Sequence, residues 1–415
     1  MIDEETLSLM SEYSYTTVGP VIYSFVSWIL ETAKRRGIRT LYFLARDGYT
    51  LMRVAEKICR TRDLGITCKY LFCSRKALRT PTYHLIGEEM YTLLLACGYF
   101  ATPRSILGRA DIYGEEANTI LSELGISEPT RPLSDLEFSA VCDKIRKNKT
   151  YYEAVIKKST EAYPAAMAYF RSQGLLSEPV VAIVDSGWTG SMQRSLRQLL
   201  RSGGYCGNFV GFYFGLYTPQ RPEDGEYLTY YFDSVGGSRR KASFNNNLFE
   251  CMLAAPHPMT CGYRLTTDGA EPEFAKDNNT GILPLIQCQS DGILRYAADA
   301  LKSSDKSGVL SGESVERLLR RAMVYPTRSE VLMYSHFGFC DDVTEDYSLP
   351  LASERLRQTL KRYMLFPRIL DKLSGRRREG SLLWPYGVIA LMPPLLRPWY
   401  RINVMLWDRL KHRLK

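Results

Sequence analysis

The segment 179–204, PVVAIVDSGWTGSMQRSLRQLLRSGG, constrains the fold more than any other stretch of the chain. Five apolar residues in a row, Val180 to Val184, read as a strand buried on both faces. A loop containing Gly187 and Gly190 follows, then a helical pattern from Ser191 to Arg201 that Gly203-Gly204 stops. A chain that passes from buried strand to helix through such a loop belongs in an α/β layer structure. Asp185 falls at the strand end, and the loop Ser186-Gly187-Trp188-Thr189-Gly190 delivers the chain to Ser191. Amides at a helix start are unpaired and sit at the positive end of the helix dipole. Glycine lets a ligand approach the backbone, and the Thr189 and Ser191 hydroxyls add donors. The loop therefore reads as a phosphate cradle. Asp185 lies about one ribose away, where it can hold sugar hydroxyls or a metal ion.

Two more segments repeat the pattern. Thr40 to Leu44 is a short apolar run, Ala45-Arg46-Asp47-Gly48 a sharp loop, and Thr50 to Cys59 has helical period. Lys69 to Cys73 reads as another strand, followed by Ser74-Arg75-Lys76, Arg79 and Pro81. Residues 208–217, NFVGFYFGLY, supply a further buried strand. Continuous apolar strands alternating with helices predict a parallel sheet covered on both faces. Ligands bind such sheets beyond the C-terminal strand ends, where all three loops lie. Two phosphate cradles with an acid between them suit a substrate that has two phosphate ends and a sugar in the middle.

The rest of the chain frames this unit. With 415 residues, 45% apolar and 24% charged, it has the composition of a globular protein. Disorder, a collagen-like fibre and a polytopic membrane protein are excluded. Ten cysteines form no CxxC and lie at no ligand spacing from a histidine, so zinc is not expected. The polar, acidic start MIDEETLSLM reads as no secretory signal, and scattered thiols suit the cytoplasm. Residues 16–37 read as an amphipathic helix, 82–178 as a large helical insertion, 262–274 as a hairpin turning at Asp268-Gly269, and 281–335 as helical again.

Charge is uneven. From Leu351 to Lys415 there are 15 Lys/Arg and 4 Asp/Glu, while the first 350 residues hold 39 and 41. A near-neutral body with a basic tail gives no reason to expect nucleic acid. The tail contains Arg376-Arg377-Arg378, the uncharged run 382–396 and a Trp- and Arg-rich end with Trp384, Trp399, Tyr400 and Trp407. The run is too short and Pro-broken to span a bilayer, and the composition predicts an interfacial anchor on a membrane surface. The expected organisation is an α/β domain over 1–275, a helical C-terminal region over 276–375 and a basic, membrane-associated tail over 376–415.

Together the three loops resemble those of the type I phosphoribosyltransferases. FLARDGY is similar to the pyrophosphate loop of the purine branch, FCSRKALRTP to its next strand, and VVAIVDSGWTGSMQRSL to the loop that binds phosphoribosyl pyrophosphate (PRPP). One acid, Asp185, stands where that family has two, and Asp47 is an added carboxylate. The longer runs GPVIYSFVSWILETAKRRGIRTLYFLARDGY and FECMLAAPHPMTCGY resemble a phosphoribosyltransferase-like family of bacterial capsule and O-antigen biosynthesis. In that family the module often accompanies a HAD-type phosphatase. The resemblance implies a phosphoribosyltransferase-like parallel sheet and transfer of 5-phosphoribosyl from PRPP to a hydroxyl of a lipid-linked or oligosaccharide acceptor.

On that reading, Ser186, Gly187, Trp188, Thr189, Gly190 and Ser191 hold the 5-phosphate. Asp185 holds the ribose, directly or through Mg²⁺. Ala45, Arg46, Gly48, Ser74, Arg75 and Lys76 hold the pyrophosphate. Asp47 is the first choice of general base and Glu250 the second, with His257 beside the site in the Pro256-His257-Pro258 turn. A HAD-type phosphatase, one alternative function, needs an Asp nucleophile two residues before Asp47, where this chain has Ala45, so dephosphorylation is expected from a separate protein. A non-catalytic module that senses PRPP or a nucleotide is the alternative from another class. The expected location is the inner face of the cytoplasmic membrane.

Overall fold

Five strands build one all-parallel sheet: β1 (Thr40–Leu44), β2 (Thr67–Leu71), β3 (Val180–Trp188), β4 (Asn208–Leu216) and β5 (Glu226–Phe232), in the order β2-β1-β3-β4-β5. The computed structural model describes residues 2–96, 101–276, 280–302, 308–339, 348–374 and 382–413. β1 has the expected bounds, and β2 starts two residues earlier than the apolar run implies. β5 is an addition to the expected set; most of its residues are only half-buried, as an edge strand should be.

Side chains alternate across the sheet. Leu41, Phe43, Ala182, Val184, Phe212 and Phe214 enter one core, while Tyr42, Leu44, Val181, Ile183, Phe209 and Tyr213 enter the other. Helices Gly19–Arg35, Gly48–Arg62 and Leu283–Lys302 cover the first face, and Lys149–Ser172 and Ser191–Ser202 cover the second. The described residues of 82–178 are mainly helical as expected, and those between 83 and 156 build a third core of their own around Ile106, Ile120, Ile145 and Tyr151.

Strand order places the switch point between β1 and β3. From β1 the chain moves outward to β2; from β3 it moves the other way to β4 and β5. The loops after β1 and β3 therefore diverge and leave a crevice above the sheet. A hairpin of β6 (Thr260–Thr266) and β7 (Gly269–Phe274) folds over one side of it. Its turn is Thr267-Asp268, one residue before the expected position. Tyr263 donates its hydroxyl to the Phe72 carbonyl (2.9 Å) and Ser74 to the Thr260 carbonyl (2.6 Å), which pins the hairpin to the end of β2.

Helices Leu283–Lys302, Gly312–Val324 and Arg328–Tyr334 match the expected helical region, but they share one continuous core with the sheet rather than forming their own. That core also takes in the tail. Leu382, Leu383, Trp384, Tyr386, Val388 and Ile389 are buried, and the Trp384 indole N–H donates to the Met323 carbonyl at 2.8 Å. The uncharged run therefore serves as core through Met392, not as a surface anchor: burying these side chains removes more apolar area from water than an interface would.

Exposure begins after Met392. Leu395 (94% exposed), just before the Arg397–Arg413 helix, and Trp399, Ile402 and Leu406 along it form a stripe, and Phe366, Leu370 and Leu373 form a second on Leu365–Ser374. Arg368, over the Trp407 ring at 5.4 Å, joins the two helices. Arg376-Arg377-Arg378 lie outside the described residues. Among the described residues no helix is long and apolar enough to cross a membrane, and the eight described cysteines are free thiols.

Candidate active site

β1 ends at Leu44 and delivers Ala45, Arg46 and Asp47 into the crevice before Gly48, buried, opens the next helix; the Ala45–Arg46 peptide bond is cis. β3 delivers Asp185 and Ser186 beside them. The strand does not stop at Val184 as its apolar run suggests. It stays paired with β4 through Gly187↔Gly215 and Trp188↔Leu216. Gly187 has φ +125°, and a Cβ there would collide with the Gly215 carbonyl oxygen, so this glycine serves the close approach of two strands. The true loop is Thr189-Gly190. Gly190, at φ +67°, caps the Ser191–Ser202 helix without a side-chain acceptor, leaving the first amides of a 12-residue helix unpaired by a cap. Gln220 and Tyr227 pack on Gly190, narrowing the cradle to the Thr189–Ser191 side. There the Ser191 hydroxyl accepts from Thr189 and from the Arg79 guanidinium, both at 3.2 Å.

Three carboxyls converge on the crevice. The Ser186 hydroxyl donates to Asp47. The Trp188 indole N–H donates to Glu250 at 2.6 Å, bringing together residues 62 apart in sequence. Asp185 is buried between them and meets the Ser186 and Gly187 amides. Burial pushes all three up to about 7, and their mutual repulsion adds to it: Asp185 acts on Asp47, Glu250 on Asp185, and Asp47 on Glu250. Arg75 pulls all three back down, and Arg46 does so for Asp47 and Glu250. Three acids that hold protons near neutrality, faced by two guanidiniums, can bind a polyanion, accept a proton or stabilise a cation.

Other expected residues have other tasks. Lys76 is buried, ion-paired with Asp111 at 2.7 Å and near the Tyr113 ring, so it turns toward the helical insertion and away from the carboxyls. Ser74 caps the Arg75–Arg79 helix by accepting the Ala77 amide at 3.0 Å. His257 lies against Tyr49, Tyr70, Phe72 and Phe274. Its Nδ1 lies 2.8 Å from the Pro258 carbonyl, which can only accept, so Nδ1 carries the proton and Nε2 accepts the Tyr70 hydroxyl at 2.7 Å. Burial, with Arg46 nearby, lowers the affinity of His257 for a second proton, and both nitrogens are already engaged. It braces Tyr70, whose hydroxyl is 3.5 Å from the Arg46 carbonyl.

Trp188 is the residue the sequence reading places least well. Read as part of an open loop, it instead packs among Tyr217, Phe232, Phe244 and Phe249, with centroids 5.2–6.5 Å away. Its φ of +91° is unusual for a bulky side chain and is held by that packing and the bond to Glu250. Trp188→Phe should keep the fold and raise the Glu250 pKa, because the indole hydrogen bond lowers it. Titration of the Glu250 carboxyl by NMR in the two proteins checks this, and an unmoved titration would make Trp188 a purely structural residue. No family model and no curated protein matches the chain.

Proposed function

We propose that this protein transfers 5-phosphoribosyl from PRPP to a hydroxyl of a glycan acceptor, releasing pyrophosphate. The observation that supports it is the meeting, at the sheet's switch point, of Asp47, Asp185 and Glu250 with Arg46 and Arg75, next to an unpaired helix N-terminus. The donor's 5-phosphate sits on the Thr189–Ser191 amides and hydroxyls beside Arg79. Its pyrophosphate faces Arg46 and Arg75, and Asp185 holds the ribose hydroxyls.

In the reaction the bond from ribose C1 to the pyrophosphate oxygen breaks, and pyrophosphate leaves with the electron pair. The acceptor oxygen bonds to C1, and its proton passes to a carboxylate. The positive charge that develops on the sugar is stabilised by Asp185. Asp47 shares its loop with Arg46, while Glu250 reaches in from the Asn246–Cys251 helix and accepts the Trp188 indole N–H; Glu250 is taken as the base, with Asp47 as the alternative.

Among the described residues no group of three His, Cys, Asp or Glu side chains is placed to hold a metal by itself. The hard oxygen of Asp185 does suit Mg²⁺ shared with a bound diphosphate, the usual manner of binding this ion. When bound it neutralises diphosphate charge. The product keeps its 5-phosphate, so a separate phosphatase must follow to leave a ribofuranose.

The exposed apolar stripes of the Leu365–Ser374 and Arg397–Arg413 helices, set in the basic C-terminal region, support a peripheral position on the inner face of the cytoplasmic membrane, where a lipid-linked acceptor is within reach.

Calorimetric titration of the purified protein with PRPP and Mg²⁺ tests the donor site. Micromolar binding is expected, and its absence in folded protein would overturn the reading. Binding with no pyrophosphate release in the presence of any glycan acceptor would make the protein a sensor. Glu250→Gln should keep PRPP affinity and lose about 10²–10⁴-fold in transfer. If Asp47→Asn alone shows that split, Asp47 is the base.

A further inference from the structure

We propose that a cleft between the last helix and the body binds the phosphate-bearing headgroup of an anionic membrane lipid, an inference that rests on the peripheral reading above and specifies its ligand. Arg239, Arg320 and Arg409 line the cleft with Ser243, Tyr386 and Met405. Their charge is poorly compensated. Glu316 takes Arg239 at 3.2 Å but shares itself with Arg240, also at 3.2 Å. Arg320 reaches the neutral Tyr325 hydroxyl at 3.5 Å. Neither Arg320 nor Arg409 has a carboxylate partner among the described residues. The one acid of this helix, Asp408, accepts the Tyr386 hydroxyl at 3.2 Å. Guanidinium forks match phosphate oxygens in pairs, so the set is chemically suited to a phosphate ester.

Position chooses the source of that phosphate. Leu395, Trp399, Ile402 and Leu406 recur at three- and four-residue spacing along one exposed face, and Arg409 continues the same stripe. Met405 and Arg409 also line the cleft. When the stripe enters the acyl boundary of a bilayer, the cleft comes to rest at headgroup level. A free phosphate ester would gain nothing from the neighbouring apolar side chains.

The test uses the full-length protein, flotation with phosphatidylcholine vesicles with and without phosphatidylglycerol, and titration with soluble glycerol 3-phosphate. Arg320→Gln with Arg409→Gln should weaken binding to the anionic vesicles by about 30-fold, the worth of two basic residues at such a surface. Lys361→Gln with Arg362→Gln, an exposed charge-matched pair outside the cleft, should weaken it much less. Equal losses would overturn the cleft as a site and leave the peripheral reading standing. If wild-type protein floats with neither vesicle, the peripheral reading fails. Glycerol 3-phosphate binding that the cleft variant abolishes would then make the cleft a site for a free phosphate ester, which overturns the lipid assignment.

Discussion

Asp185→Asn is expected to transfer no measurable phosphoribosyl while melting at a higher temperature than the wild-type protein at and above neutral pH. The two effects have one cause. Asp185 is buried and held up to about 7 by burial and by Glu250. A carboxyl whose folded pKa is raised contributes its stability below its ordinary value near 4 and loses it as pH rises through about 7. The ligand-free wild-type protein should therefore lose stability steadily from about pH 4 to about pH 7, as Asp47, Asp185 and Glu250 give up protons they are built to keep. Asparagine mimics the protonated acid, so the variant matches wild type near pH 4 and exceeds it by up to about 4 kcal/mol above pH 7, the worth of a pKa raised from its ordinary value near 4 to about 7. In the proposed reaction, loss of the charge assigned to the developing sugar cation should cost about 10²–10³-fold in turnover, and loss of the assigned ribose contact should add to this. Thermal melts across pH and pyrophosphate release measure the two arms. Full activity in the variant would remove Asp185 from the site; a pH-independent melting difference would mean that its carboxyl is not held neutral.

Trp384→Ala should be the most destabilising single change in the C-terminal region. The side chain is 1% exposed, and its N–H satisfies the Met323 carbonyl. Truncating a buried tryptophan costs about 3–5 kcal/mol, and the abandoned carbonyl adds to that. Removing the tail from residue 382 onward takes away Leu383, Val388 and Ile389 as well, and should leave a protein that does not stay folded. Trp399→Ala, on the exposed stripe, should leave stability within about 0.5 kcal/mol and weaken binding to vesicles. Denaturant unfolding of the two variants gives the comparison; equal stabilities would mean that 382–392 is not core.

Much of the site was legible from local pattern. Thr40–Leu44 and Val180–Val184 carry both faces' worth of apolar residues, so buried parallel strands follow, and with them the position of Asp47 just past β1; Asp185, expected at a strand end, lies inside β3, which stays paired through Trp188. The helix starts after Gly48 and Gly190 were readable for the same reason. The direction of side chains beyond those ends was not. Lys76 sits beside Arg75 in sequence, yet helical geometry turns it to Asp111 in the insertion. Gly187 has the composition of a ligand loop, yet its lack of a side chain is spent on Gly215 of the next strand.

What the sequence determined by itself is the layer architecture and the presence of acids and arginines at the C-terminal edge of the sheet. Burial pattern and turn chemistry act over a few residues, and a chain carries them wherever it folds. Only the tertiary structure decided that Glu250 is tied to Trp188, that three carboxyls share one desolvated crevice, and that an uncharged run near the C-terminus is core while the stripe after it is surface. Those outcomes depend on which distant segments compete for the same apolar area and the same hydrogen-bond donors, and that competition is settled only when the whole chain has packed.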